Sequence, residues 1–332
     1  MRALVVEAFA PFETHEIRDL PDPVPGPGEV IIEARAMGLN FPDVLMVEGK
    51  YQHKPDRPFI PGFDTAGVVS AVGDGVTRVA VGDRVLTSLR SGAFATRVTA
   101  PEHAVWRMPD AMSFEDGAAF GLVYLTAYIT LIVNAGAQAG ETVLITGASG
   151  GVGLAMTQFG VAKGMRIIGG VTSAQKAVLV QENGADTTVD LAAENLRDSL
   201  RDEVHVATGG MGVDLVVDMV GGDVFDAALR VIRPGGRIAI VGFASGRIPE
   251  IKANYLLVKR LTAIGSPLTS GRPGGRDGID ALKDEAMAEL FRLYEAGGLR
   301  PVITARVALD DWREAFRRFK ERQVTGKIIM VP

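Results

Sequence analysis

The chain has 332 residues, 47% of them hydrophobic, enough for about two domains with cores of their own. A net charge of -5 without any run of Lys or Arg excludes the electrostatic footprint of a nucleic-acid or anionic-membrane binder, and leaves a small molecule as the expected partner. The absence of cysteine excludes a disulfide-held scaffold and every thiolate metal ligand, and the four histidines, His15, His53, His103 and His205, form no local zinc motif.

In chain order, the opening M-R-A-L-V-V-E-A-F starts like a signal peptide, but Glu7 cuts the apolar run short and the segment reads as a first strand. Short β runs follow between Pro and Gly, at Arg2–Val6, Glu29–Ala36, Gly67–Val72, Arg84–Thr87 and Ala95–Thr99, the pattern of a small β barrel or sandwich. Pro21–Gly28 holds four prolines, each without a donor, and is an extended connector. Asn40–Lys50 is expected as a short helical or irregular insertion. Ser113-Phe-Glu-Asp116 has the spacing of a helix N-terminus. It leads into the uncharged stretch Gly117–Gly140, whose strongly apolar part, Phe120–Val133, is short and carries Tyr124, Thr126, Tyr128 and Thr130. That suits a buried core helix rather than a membrane span.

Thr142–Gly153, T-V-L-I-T-G-A-S-G-G-V-G, sets a β-branched run against four glycines, and the helix-compatible Leu154–Lys163 follows. Val143-Leu144-Ile145 is apolar on both faces, as a parallel strand between helix layers is. Gly147, Gly150, Gly151 and Gly153 then permit a tight turn, the approach of backbone N–H groups to a phosphate, and close packing of helix on strand. Strand, glycine turn and helix together predict a dinucleotide pyrophosphate site, the alternative being a turn with a purely structural role. Further strands at Arg166–Val171, Asp186–Asp190, Val213–Val220, Gly236–Gly242 and Leu261–Gly265, with helices such as Lys176–Asn183 and Val224–Ile232 between them, predict a doubly wound parallel sheet. Ser270–Gly278 reads as a polar loop, and Asp280–Glu295 and Asp311–Glu321 as amphipathic helices. The second carries Trp312, Ala315, Phe316 and Phe319 on one face, expected as a core face. Lys327–Val331 is a last strand that rejoins the N-terminal β domain.

An NAD-binding fold places an acid at the end of the second strand for the ribose 2′-OH. Gly169-Gly170-Val171-Thr172-Ser173 has none, while the hydroxyls of Thr172 and Ser173 and the ammonium of Lys176 suit a 2′-phosphate at a helix N-terminus. NADPH is therefore the predicted cofactor, with a solvated helix lysine as the alternative for Lys176.

Four motifs, G-L-N-F-P-D at Gly38–Asp43, P-G-F-D-T-A-G-V-V at Pro61–Val69, V-G-D-R-V at Val81–Val85 and G-A-S-G-G-V-G at Gly147–Gly153, resemble in order and spacing the zinc-independent quinone oxidoreductase branch of the medium-chain dehydrogenase/reductase superfamily. The resemblance covers nearly the whole chain. It implies an α/β protein in which a GroES-like β-barrel catalytic domain, residues 1–122 and again 266–332, is interrupted by a Rossmann domain, residues 123–265, with the active site in the cleft between them. Zinc-dependent relatives carry Cys at the place of Asn40 and His at that of Phe63, and Leu86–Gly92 leaves no room for their four-cysteine lobe.

By the same resemblance, hydride passes from NADPH to a quinone. The C=C bond of an alkenal, enone or enoyl thioester is the alternative acceptor, and a nucleotide-binding protein with structural or interaction duties and little turnover is a further reading. The chemistry is consistent with reduction, since hydride adds to an already electrophilic conjugated carbonyl while hydrogen bonds steady the oxygen that gains charge. The implied catalytic groups are Asn40, Tyr51 and Asp43. Asn40 would hydrogen-bond the nicotinamide ribose or the substrate oxygen, or else is a turn residue. Tyr51 would donate a hydrogen bond or proton, or else is a loop tyrosine. Asp43 and Asp64 alternatively accept structural hydrogen bonds, and His53 reads as a solvated loop residue. The implied cofactor contacts are Asn40, Thr126, Gly150, Gly151, Val152, Gly170, Thr172, Ser173, Lys176, Gly242, Phe243 and, as a second cation, Arg322; Leu191 stands where some relatives place a tyrosine on the adenosine side. An enoyl-CoA would want an entrance of cations, for which Arg90, Lys50 and Lys54 are candidates. A homodimer through the sheet edge Leu261–Gly265 and a cytoplasmic location complete what the family implies.

Overall fold

The computed structural model describes residues 1–268 and 275–332, with side chains in the second segment from residue 278 onward. The chain forms two units, Met1–Val123 with Pro301–Pro332, and Tyr124–Arg300.

The first unit begins with an antiparallel pair, β1 (Arg2–Val5) and β2 (Glu16–Asp19). There follow β3 (Glu29–Leu39), the short helix α1 (Phe41–Val47), β4 (Asp64–Val72), β5 (Arg84–Ser88), β6 (Arg97–Pro101), β7 (Val105–Arg107) and α2 (Phe114–Tyr128), which from Tyr124 onward belongs to the second unit. β3 and β4 both run further than their β-branched cores suggest: β3 continues to Leu39 and β4 starts at Asp64, paired in register Gly38↔Asp64. That extension is what sets Asn40 and Asp64 side by side. Ser113 accepts the Asp116 N–H at 3.0 Å, as its spacing predicts for the start of α2. α2 and the π-helical turn Ile129–Asn134 after it are largely buried, with Phe120, Tyr124, Leu125, Ile129 and Leu131 in the interior, so this apolar stretch is a core helix of the structure.

The second unit carries β8 (Thr142–Thr146), α3 (Gly151–Ala162), β9 (Arg166–Val171), α4 (Ala174–Glu182), β10 (Thr187–Asp190), α5 (Leu196–Thr208), β11 (Val213–Asp218), α6 (Gly222–Val231), β12 (Ile232–Ile240), α7 (Ala253–Lys259), β13 (Thr262–Gly265) and α8 (Gly275–Glu295). Its sheet is parallel throughout, in the order β10-β9-β8-β11-β12-β13. The doubly wound sheet is as expected, and its order reverses between β8 and β11. In such sheets the crevice outside the carboxyl ends of the strands at that reversal is where ligands bind.

The last segment, β14 (Ile303–Ala308), α9 (Trp312–Lys320) and β15 (Lys327–Val331), belongs to the first unit, whose seven-stranded sheet runs β14-β15-β3-β4-β5-β7 with β6 also on β3. β15 lies antiparallel on β3, so the last strand does rejoin the N-terminal sheet. The aromatic face of α9 is a core face: Trp312, Ala315 and Phe316 are buried, and Trp312 meets Phe316 edge-on at 5.0 Å between ring centroids. Each such ring contributes about 1.5–3 kcal/mol through removal from water.

Two expectations change. The second unit ends at Arg300 rather than at residue 265, because α8 packs within it: Ala286, Met287 and Leu290 are buried and Glu289 meets Lys163 at 3.1 Å. Helix α8 begins at Gly275, so 275–278 of the loop expected at Ser270–Gly278 are helical, and 270–274 lie outside the described residues. β2, β7, β14, α5 and α7 are elements beyond those expected; α5 buries Leu200, Val204 and Thr208 on one face, whereas α7 has no buried residue to generate a period.

Candidate active site

The glycine turn joins β8 to α3. Gly147 has φ +68°, a conformation that costs any other residue strain, and Gly150 precedes α3 as its N-cap. At Gly153 a Cβ would stand 2.5 Å from the Gly147 carbonyl oxygen and 2.6 Å from Ala148 Cα, so only glycine lets α3 start this close to the strand. At Gly150 the nearest atom to a Cβ among the described residues is 3.6 Å away, which leaves its outer face open to them. The free N–H groups of the first turn of α3, Gly151 and Val152 among them, thus sit at an open helix N-terminus, a ready anion site.

At the end of β9 the chain turns into α4. Ser173 is the N-cap and accepts the Lys176 N–H at 3.3 Å, while the Lys176 ammonium donates to the Thr172 hydroxyl at 3.0 Å. Two hydroxyls and one cation therefore gather at a helix N-terminus with no acidic residue from Gly169 to Lys176. Gly170 is one strand residue earlier, packed under Leu191, whose Cδ1 would lie 2.8 Å from a Cβ there.

Where the strand order reverses, Asp218 at the end of β11 is fully buried. It accepts from the Thr146 hydroxyl at 2.7 Å and from the Gly221 N–H at 2.9 Å. Burial pushes its carboxyl above the ordinary range, and these donors pull it back. Its own carbonyl receives the Val241 N–H at 2.9 Å, which shapes the segment leading to Gly242 and Phe243 after β12. The groups expected at the cofactor from Gly150 to Phe243 thus all lie at carboxyl ends of the parallel strands. Thr126 stands apart from them in sequence, half-buried on α2.

In the first unit Asn40 bridges β3 and α1 as the N-cap of the helix, and it is buried. Its Nδ2 donates to Asp64 Oδ2 at 2.9 Å and to the Gly38 carbonyl at 3.1 Å, and its Oδ1 accepts from the Lys327 ammonium at 2.6 Å. Asp64 Oδ1 accepts the Leu122 N–H at 3.0 Å. Asp43, fully buried, accepts the Asn40 N–H at 2.7 Å through Oδ2, and its Oδ1 has no hydrogen-bond partner among the described residues. Burial raises the carboxyls of both aspartates, Asp43 well above its ordinary value. Burial lowers Lys327, and Asp64 and Asp43 oppose that shift.

Tyr51 stacks edge-on against Phe63, with ring centroids 6.0 Å apart. Its hydroxyl has no hydrogen-bond partner among the described residues, and burial, reinforced by Asp43, holds it in the protonated form by raising its pKa. Lys50 is tied to Glu48 at 2.6 Å and so offers less free charge than the sequence suggests. Arg322 follows α9 with a left-handed φ of 56°, and it belongs to a different unit from Lys176. Two further groups, Lys327 and Asp218, have no motif around them that marks them as polar site residues. Lys327 begins an apolar strand, and its partner Asn40 is 287 positions away.

Residues 26–110 match the family described as the alcohol dehydrogenase GroES-like domain, and residues 151–284 that described as zinc-binding dehydrogenase. The chain is 39% identical over 308 residues to the quinone oxidoreductase-like protein 2 homolog of Nematostella vectensis, a match spanning 92% of this chain and 82% of that protein. It is 35% identical over 337 residues to human quinone oxidoreductase, spanning 100% and 98%. The solved structure of mycobacterial Rv1454c complexed with NADPH superposes with a TM-score of 0.91 at 32% identity, over 100% of both chains. The chain belongs to the quinone oxidoreductase branch of the medium-chain dehydrogenase/reductase superfamily.

Proposed function

We propose that the chain binds NADPH and reduces a quinone with it. The observation that carries this reading is the end of β9, where Lys176 is held against Thr172 beside the Ser173 cap and no carboxylate is present to receive a 2′-hydroxyl. A 2′-phosphate would meet a cation, two hydroxyls and a helix N-terminus there. The open N-terminus of α3 at Gly150, Gly151 and Val152 suits the pyrophosphate. Human quinone oxidoreductase and NADPH-complexed Rv1454c, both similar along the whole chain, support the same reading.

When bound, NADPH supplies the hydride. The residues of the chain bind, orient and stabilise charge. Tyr51, kept protonated and with its hydroxyl unengaged, is the donor available to the substrate oxygen as it gains charge. The test is NADPH and NADH consumption with a panel of quinones, enones and enoyl thioesters, followed at the nicotinamide absorbance. Consumption with quinones and preference for NADPH are expected. Turnover of enones alone would move the acceptor to a C=C bond, and tight binding without turnover would favour an interaction role.

The proposed second partner is another copy of the chain at the β13 edge. The helix before that strand, α7, packs on β12 and leaves Leu257 80% and Val258 79% exposed. Light scattering should give a dimer.

A further inference from the structure

The register of β15 on β3, Ile328↔Leu39 and Ile329↔Gly38, puts Lys327 next to Asn40 where both strands end. The pairing of β3 with β4, Gly38↔Asp64, brings Asp64 to the same place. The Lys327 side chain is 4% exposed and that of Asp64 0%. The directed short bond of the ammonium is to Asn40 Oδ1 at 2.6 Å, whereas Asp64 Oδ2 is 3.5 Å away. Asp64 in turn takes one Asn40 N–H and the Gly38 carbonyl takes the other.

This arrangement admits one orientation of the carboxamide. Turned over, it would set its N–H groups against an ammonium and its oxygen against a carboxylate. An Asn side chain has two donors and an oxygen with two lone pairs. Here both donors and one lone pair are taken by the protein. Asn40 therefore has nothing left to donate to a substrate oxygen, and what it offers a ligand is a single acceptor position on Oδ1.

We propose that Lys327 is a positioning residue, which acts through Asn40 by locking the carboxamide as an acceptor for a hydroxyl of the cofactor ribose. The proposal rests on NADPH as the cofactor. It also divides labour in the first unit, with Asn40 accepting and Tyr51 donating. The competing explanation makes Lys327 a counter-charge for the buried aspartates, in which Asn40 is a bystander. The two differ in where the loss appears when the ammonium is removed.

The experiment measures the NADPH dissociation constant by nucleotide fluorescence in the full-length chain, for Lys327→Met, Lys327→Gln, Asn40→Ala and the double variant Asn40→Ala/Lys327→Met. Loss of one directed hydrogen bond is expected to weaken binding about fivefold in Lys327→Met and in Asn40→Ala. The double variant should be no weaker than either single one, and Lys327→Gln, which keeps an N–H donor, should recover part of the loss. Lys327→Met leaves Asp64 without its cation and can fail to fold. Asp64→Asn/Lys327→Met removes both charges together and carries the same prediction of weakened binding. Parental affinity in the Lys327→Met chain or in this charge-balanced pair, or additive losses in the Asn40→Ala/Lys327→Met chain, would overturn the proposal while leaving NADPH as cofactor. Absence of NADPH binding by the unaltered chain would overturn both.

Discussion

The Thr146 hydroxyl donates to Asp218 Oδ1 at 2.7 Å and so joins the carboxyl end of β8 to that of β11, where the strand order reverses. The same hydroxyl accepts the Met219 N–H at 3.1 Å, so one side chain ties two strand ends and the loop beyond them. Thr146→Val keeps the shape and removes both bonds. The buried carboxylate then loses one of its donors, which is expected to cost about 1–3 kcal/mol in urea denaturation. NADPH affinity should fall as well, because the loop keeps the Gly221 N–H on Asp218 but loses the Thr146 hydroxyl that holds the Met219 N–H at its start. An unchanged unfolding midpoint would show that the bond contributes nothing net.

Gly150 and Gly153 separate two roles for glycine in one turn. A Cβ at Gly153 would overlap the Gly147 carbonyl, so Gly153→Ala should lose about 1–3 kcal/mol of stability through overpacking, with cofactor affinity falling in step. Among the described residues a Cβ at Gly150 meets nothing closer than 3.6 Å, and its φ of -78° is open to alanine. Gly150→Ala should therefore melt like the parent yet bind NADPH more weakly, because the added methyl occupies the space a phosphate needs. Equal melting together with equal affinity would remove the pyrophosphate from this turn.

The sequence makes the glycine turn and the alternating strands legible because each rests on local chemistry: apolar runs of strand length, glycine where the backbone is constrained, hydroxyls at a helix N-terminus. The same is true of the missing acid after β9. The Asn40 network is only half legible. G-L-N-F-P-D marks Asn40 and Asp43, but the third member, Lys327, enters through the pairing of β15 with β3, and strand pairing over such a separation has no short-range signature. A lysine at the head of K-I-I-M-V looks like a strand flank meeting solvent, and only the sheet shows it buried. The place of helix α8 in the second unit is not legible for a related reason. Its amphipathic face identifies a helix and says nothing about which core it covers.

Lys176 provides the measure of cofactor choice. Its ammonium is held at 3.0 Å from the Thr172 hydroxyl, directed to the α4 N-terminus. Lys176→Glu puts a carboxylate there, which repels a 2′-phosphate and can accept from a 2′-hydroxyl. The ratio of kcat/KM for NADPH to that for NADH is expected to fall at least about tenfold, the equivalent of roughly 1.4 kcal/mol. Steady-state rates with both nucleotides decide it, and an unchanged ratio would place the 2′-phosphate elsewhere.

Asp43 gives a prediction in pH. Its carboxyl is fully buried, with Oδ2 on the Asn40 N–H and Oδ1 without a partner. Burial raises its pKa well above the ordinary 3.8; the Asn40 N–H and the Lys327 ammonium oppose the shift, and the neighbouring Asp64 adds to it. Between 3.8 and the raised value the folded chain holds a proton that the unfolded chain has released. The contribution of this group to stability is thus whole below 3.8 and is lost as pH rises through the folded value. Asp43→Asn keeps an oxygen for the Asn40 N–H and never ionises, while Asp64, Lys327 and Tyr51 remain around it in both proteins. The melting temperature of the variant relative to the parent should therefore climb as pH is raised from about 4 toward neutrality. A difference that stays level with pH would show that Asp43 ionises in the fold as readily as in the open chain, and that Lys327 and the Asn40 N–H offset its burial.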